Sequence, residues 1–239
     1  MATSGDRNLA IDKTWSPDPT DGGPEANGKV VVNRSMSLDG FIAGPSHAMN
    51  WGGGRALADF VAPEDVAAIA AATGAMLVGR RTWDVGDRME AEEPGSVDYP
   101  FSGPMFLLTH RPLEPPDPEV MILTGDIGEA VATALNAAGG KKLEILGADV
   151  AGQCLQRGLV DEILVYVLPV LLGDGTRFSA PGLARTDLEP VSSTRSRDAT
   201  ILRFRVRKHS DLTVQECRIS SAESAERTRA RTSTNDRFR

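Results

Sequence analysis

The sequence predicts an α/β fold: a single three-layer domain on a mixed, mainly parallel sheet flanked by helices, with antiparallel strands at its C-terminal end. Three observations predict it. Short apolar runs rich in β-branched residues alternate with segments whose apolar residues recur at helical spacing, glycines follow the helical segments, and two late segments alternate polar and apolar residues like antiparallel strands. With 239 residues, 41 % of them apolar, the chain has the material for a substantial core, which excludes a collagen-like, fully disordered or disulfide-stapled protein.

The elements follow in chain order. Lys29 to Ser35 is short and β-branched, and Asp39-Gly40 after it signals a tight bend. Pro63 to Thr73 opens with proline and two acids, as a first helical turn should, and keeps Val66, Ile69 and Ala70 on one face. Ala75 to Val78, Pro104 to Thr109 and Glu119 to Leu123 read as strands. Asp126 to Ala138 reads as a helix closed by Gly139-Gly140, Lys142 to Leu146 as a strand, and Asp149 to Arg157 as a helix with Gly158 at its C-terminus. The run Glu162 to Leu172 is apolar on both faces, as a fully buried strand would be. Asp187 to Ser193 and Thr200 to Arg207 alternate. In the latter, Ile201, Arg203, Arg205 and Arg207 share one face and Leu202, Phe204 and Val206 the other, which predicts an antiparallel edge with one solvated side.

Residues 1–27, with Pro17, Pro19, Pro24 and Gly22-Gly23 among acids, read as a disordered extension and not as a secretory signal. Residues 209–239 read as a mostly disordered tail, which leaves 28–208 as the domain. The formal charge of −7 disfavours a polynucleotide partner, since counterion release needs a basic face. No apolar stretch approaches the roughly 20 residues of a membrane helix. Cys154 and Cys217 are the two cysteines, without CxxC or HExxH and with three scattered histidines, so no metal site is expected and a reduced, cytoplasmic setting is.

Four stretches carry candidate chemistry. At Gly147 a strand gives way to a helix, so the N–H groups of Ala148 to Val150 are placed to meet a phosphate. This joint is not a GxGxxG fingerprint, which disfavours the usual two-domain dinucleotide fold. Arg80, Arg81 and Thr82 follow one buried strand and Thr109, His110 and Arg111 follow another; guanidinium pairs at strand ends suit an anion. Trp51 beside Gly52-Gly53-Gly54 suits a mobile lid or stacking platform better than a core.

Taken together, SLDGFIA, MNW, LVGRRTW, LLTHRP, LGADVAGQCLQRGLVDEI and PVLLGDGTRF resemble the dihydrofolate-reductase-like superfamily. Within it they are most similar to the C-terminal reductase domain of the bacterial riboflavin-biosynthesis deaminase-reductase, over about Lys29 to Lys208. The resemblance implies an NADPH-dependent reductase, often a homodimer, passing a hydride to a small heterocyclic or ribosylamino substrate. It places Arg80, Arg81 and Thr82 on the adenosine phosphate and Thr109, His110 and Arg111 on the 2′-phosphate. Gly147, Ala148, Asp149, Val150 and Ala151 fall on the pyrophosphate turn, Trp51 over the cofactor, and Ser37 and Asp39 at the nicotinamide end. Asp59 is the candidate for the acid that positions a pterin, and with it goes an alternative reading as a pteridine or folate-type reductase. Three departures stand out. Ala148 replaces a glycine, Ile145 stands where riboflavin-pathway reductases carry a Glu, and no HxE or PCxxC deaminase signature is present. A third reading is a non-catalytic nucleotide-binding protein on the same fold. No residue is singled out as catalytic.

Overall fold

The computed structural model describes residues 28–49, 57–94, 100–111, 113–114, 117–179 and 181–208. The extension 1–27, the tail 209–239 and Trp51 lie outside them. In chain order the elements are β1 (Val30–Ser37), β2 (Phe41–Ala43), a single 3-10 turn (Pro45–His47), α1 (Leu57–Phe60), α2 (Pro63–Ala72), β3 (Thr73–Gly79), α3 (Arg80–Glu92), β4 (Met105–Leu108), β5 (Val120–Leu123), α4 (Ile127–Ala137), β6 (Lys142–Leu146), α5 (Ala148–Gln156), β7 (Glu162–Leu168), β8 (Thr176–Arg177), β9 (Leu188–Ser196) and β10 (Ala199–Val206).

Eight strands form one sheet in the order β5-β4-β3-β6-β1-β7-β10-β9, and β2 pairs with β8 in a separate ribbon. Strands β5 through β7 in that order are parallel to their neighbours, while β10 is antiparallel to both β7 and β9. The α/β class and its antiparallel C-terminal strands thus stand as the sequence predicts.

The central strands are buried on both faces. In β1, Val30 and Val32 join one cluster, which includes Leu77, Leu143 and Ile145 of the sheet and Ile127 and Ala134 of α4, while Val31 joins Phe60, Val61 and Leu164 on the other side. That is why these strands read as continuous apolar runs. Asp126 caps α4 by accepting from the Gly128 N–H at 2.7 Å, and its other oxygen pairs with Arg157. The Cys154 thiol is buried on α5, and burial pushes its pKa up to about 12.

Three expectations change. Helix α3 begins directly at the end of β3, where the sequence showed only a strand-end anion site; it has no fully buried residue and no side-chain cap, so neither signal announces it. The last strand is not an edge, because β10 lies between β7 and β9 and β9 is the edge; Ile201 packs against the second core cluster, so the face expected to be solvated is partly covered. The long run ends early: β7 stops at Leu168, before Pro169, which has no N–H for a ladder, and Leu171 is 72 % exposed.

Candidate active site

A cavity of about 670 Å³ opens over the carboxyl ends of β1, β3, β4 and β6, the edge where open α/β sheets bind ligands. Its volume is ordinary for a small-molecule or cofactor site. The three predicted anion stretches converge on it: Arg80, Arg81 and Thr82 from the start of α3, Thr109, His110 and Arg111 after β4, and Gly147 to Val150 at the start of α5.

The cationic wall is organised before any ligand arrives. The Asp84 carboxylate accepts from Arg80 Nε at 2.6 Å and from Arg111 Nη2 at 3.4 Å, and Arg80 Nη1 also donates to the Arg111 carbonyl at 3.2 Å. Asp149 accepts from Arg81 Nη1 at 2.7 Å. Thr109 Oγ1 accepts from the Arg111 N–H at 3.1 Å, folding the loop after β4 back on itself. These exposed pairs add little stability. Their role is to hold guanidinium groups toward one space.

Gly147 is the hinge of the site. Its φ of 100° and ψ of 130° suit only glycine, and a Cβ there would stand 2.7 Å from Thr82 Oγ1. No side chain caps α5, so its first turn presents N–H groups to the cavity with the helix dipole behind them. The sequence did not single out Arg34, which lines the cavity from β1, is buried, and donates from Nη2 to the Gly147 carbonyl at 2.8 Å. Desolvation lowers its pKa to about 10 against the favourable charge of Glu144, so it stays a cation at neutral pH. Its Nε has no hydrogen-bond partner among the described residues, and neither does Oδ1 of the adjacent Asn33.

Other predicted residues sit elsewhere. Ala151 faces the core, and its N–H bonds back to the Gly147 carbonyl at 3.0 Å. Ser37 is buried; its hydroxyl donates to Asp39 Oδ1 at 2.6 Å and accepts from the Phe41 N–H at 2.9 Å. Asp39 accepts from the N–H groups of Leu172 and Gly173, at 3.1 and 2.7 Å. The Ser37 hydroxyl and then these amides hold its pKa down at about 2. Both residues tie the β1–β2 turn to the loop after β7, and neither lines the cavity. Asp59 is exposed on α1, also outside the lining. In their place stand Asn33, Ser35, Ile42, His47, Met49 and Thr176, whose positions no spacing rule in the sequence connects.

The residues fit a dinucleotide phosphate. Among the described residues four arginines line the cavity against two aspartates, a helix N-terminus without a side-chain cap opens into it, and Arg34 Nε has no hydrogen-bond partner. Among the described residues no group of His, Cys, Asp and Glu is placed to hold a metal ion, and no helix is long and apolar enough to cross a membrane.

Sheet order and the arginine-lined cavity at the carboxyl edge define an α/β protein with a small-molecule-sized site at its strand ends. The chain belongs to the RibD C-terminal domain family, whose model matches residues 28–202. Among solved structures it is similar to a riboflavin biosynthesis protein from Shewanella sp. PV-4, at 24 % identity and a TM-score of 0.61 over 75 % of this chain and 99 % of that one. It is also similar to Acinetobacter baumannii RibD, at 21 % identity and a TM-score of 0.54, covering 77 % of this chain and 59 % of that one. A third is the Thermotoga maritima deaminase/5-amino-6-(5-phosphoribosylamino)uracil reductase, at 15 % identity and a TM-score of 0.53, covering 76 % and 57 %. The chain therefore spans less than two thirds of those two longer proteins. No curated protein matches it.

Proposed function

We propose that the protein is an NADPH-dependent reductase that passes a hydride to a heterocyclic or ribosylamino substrate, as the reductase domain of its family does in riboflavin biosynthesis. The observation that carries this reading is the convergence of Arg80, Arg81, Arg111 and the α5 N-terminus on one strand-end cavity. Arg80 and Arg111, gathered around Asp84, suit the 2′-phosphate that separates NADPH from NADH. The α5 turn at Gly147 suits the pyrophosphate. The bound cofactor supplies the hydride. This chain's part is to position: Arg34 fixes the Gly147 carbonyl from below, Thr109 fixes the loop carrying Arg111, and Asp84 and Asp149 aim the guanidinium groups. The same reading takes the enzyme as a cytoplasmic homodimer acting on a small molecule, with residues 28–208 as its domain.

The pteridine or folate-type reading rests on Asp59 being buried in the cavity, and Asp59 is exposed on α1 and outside the lining. Fluorescence titration of the full chain with NADPH tests the proposal, followed by NADPH oxidation with 5-amino-6-(5-phosphoribosylamino)uracil as probe. Saturable binding and turnover are expected. Absence of NADPH binding refutes the reading, and binding without turnover favours a nucleotide-binding protein that lacks the chemistry.

A further inference from the structure

We infer that His47, oriented by Thr176, delivers the proton that accompanies hydride transfer, at the end of the cavity away from Arg80 and Arg111. The inference rests on the reductase reading above. The two ends are far apart: in the sheet, β4 and β1 are separated by β3 and β6, which at the usual strand spacing is roughly 14 Å. The β1 end is walled by Ile42, Ala43, His47, Met49 and Thr176, from β2, the turn after it and β8.

Chemistry selects His47 among the described residues of the lining. Arginine does not give up its proton at neutral pH. Asp84 and Asp149 are ion-paired to the arginines of the cationic wall, and His110 stands beside Arg111 at that same end. His47 is the remaining side chain of a type that exchanges a proton near neutrality.

Geometry holds its ring. Ser46 and His47 adopt φ values of 56° and 62°, two successive non-glycine residues in the left-handed region, in a turn closed by Ala48 N–H to the Pro45 carbonyl at 3.2 Å and Gly44 N–H to the Ala48 carbonyl at 2.8 Å. Such outliers persist where the surroundings over-determine them. The β2–β8 ribbon is the surrounding: Ala43 pairs with Thr176, and Gly175 lies so close to β2 that a Cβ would stand 2.1 Å from the Ala43 carbonyl oxygen. The result is His47 Nδ1 at 2.8 Å from Thr176 Oγ1. Among the described residues, the charged side chains on the adjoining elements are Arg177 of β8, stacked on Phe41, and Asp174 in the loop before it, and Arg34 lines the same cavity.

With Nδ1 engaged, Nε2 is the nitrogen that works. In the imidazolium, Nδ1–H donates to Thr176 and Nε2–H faces the ligand. A substrate C=N or C=O takes the hydride at carbon from a dihydronicotinamide, which is oxidised to the nicotinamide cation; the electron pair released to the substrate nitrogen or oxygen forms the new bond to the Nε2 proton. The Nε2–H bond breaks, the ring is left neutral with Nδ1–H still bonded to Thr176, and solvent returns a proton to the half-buried ring. The substrate class is a carbonyl or imine carbon, as in an opened ribosylamine, with a heteroatom that must be protonated.

The test uses the full chain, with His47→Asn, since Asn tolerates the left-handed backbone, and Thr176→Val. NADPH affinity and melting temperature are measured for each, with kcat against pH for the ribosylaminouracil probe. Expected is a kcat lower by about 100-fold in His47→Asn with NADPH affinity within twofold. In the unsubstituted protein kcat should fall as pH rises and the donor loses its proton; that fall should be absent in His47→Asn and displaced in Thr176→Val. Independently of turnover, ring ¹⁵N spectra with NADP⁺ bound should show neutral His47 as the Nδ1–H tautomer. An Nε2–H tautomer, or turnover in His47→Asn with an unaltered pH profile, overturns the proposal while leaving the reductase reading intact. Failure of NADPH to bind overturns that reading, and binding without turnover of the probe overturns both.

Discussion

Replacing Gly147 with alanine should destabilise the protein by about 3 kcal/mol, because two penalties meet there. A non-glycine residue at φ 100°, ψ 130° pays about 1–3 kcal/mol of backbone strain. The new Cβ, 2.7 Å from Thr82 Oγ1, forces that side chain off its rotamer for roughly 0.5–1.5 kcal/mol. The peptide cannot swing away cheaply, since Arg34 holds the Gly147 carbonyl at 2.8 Å. For a domain of this size the loss lowers the melting temperature by roughly 6–12 °C. The assay is thermal and urea unfolding of Gly147→Ala, Thr82→Ala and the double variant. Thr82→Ala removes the atom that clashes while Thr82 Cβ lies at an ordinary 3.6 Å, so the double variant should recover about 1 kcal/mol relative to additivity. A Gly147→Ala protein within about 0.5 kcal/mol of the parent would mean that neither backbone strain nor the Thr82 contact confines this position to glycine, and strict additivity that the Thr82 contact does not.

Other predictions address groups outside the cavity. The Asp39 pKa is held at about 2, below its unfolded value near 3.9, so its contribution to stability is present above about pH 4 and is lost as pH falls through 2. Asp39→Asn should therefore be less stable than the parent at pH 6, with the gap closing by about pH 2, measured by urea unfolding at each pH; a gap independent of pH would contradict this. The buried Cys154 thiol, with its pKa pushed up to about 12, should resist iodoacetamide at pH 8 in the folded protein and react on unfolding, read by peptide mass spectrometry. Asp126→Ala removes both the α4 cap and the Arg157 partner and should lower stability, with the loss located in α4 by hydrogen exchange.

Much of the fold was legible because its signals are local. Asp126 before an apolar helical run and Gly139-Gly140 after it mark α4 without reference to anything else, and the β-branched run after Lys29 marks β1. The arginine-lined end was legible for a related reason: Arg80 and Gly147 directly follow strands, Arg111 comes three residues after one, and parallel strands bring their carboxyl ends together. Helix α3 was not, since it has neither a side-chain cap nor a fully buried residue and its start is fused to the end of β3. Nor was the other end of the cavity. There His47 meets Thr176 across 129 residues, and outside the lining the Asp39 carboxylate closes on Leu172 and Gly173, more than 130 residues away. Such contacts follow from the β2–β8 ribbon, whose two short strands carry no pattern of their own.

If the arginines at the strand ends hold the phosphates of NADPH, paired titrations of NADPH and NADH will separate the two cofactors. They compare the parent protein with Arg80→Ala and Arg111→Ala. A charge-assisted bond is worth about 1.5 kcal/mol or more, so each substitution should weaken NADPH by about tenfold and leave NADH within about twofold. Equal loss of both cofactors, or no loss of either, would mean that Arg80 and Arg111 do not hold the 2′-phosphate.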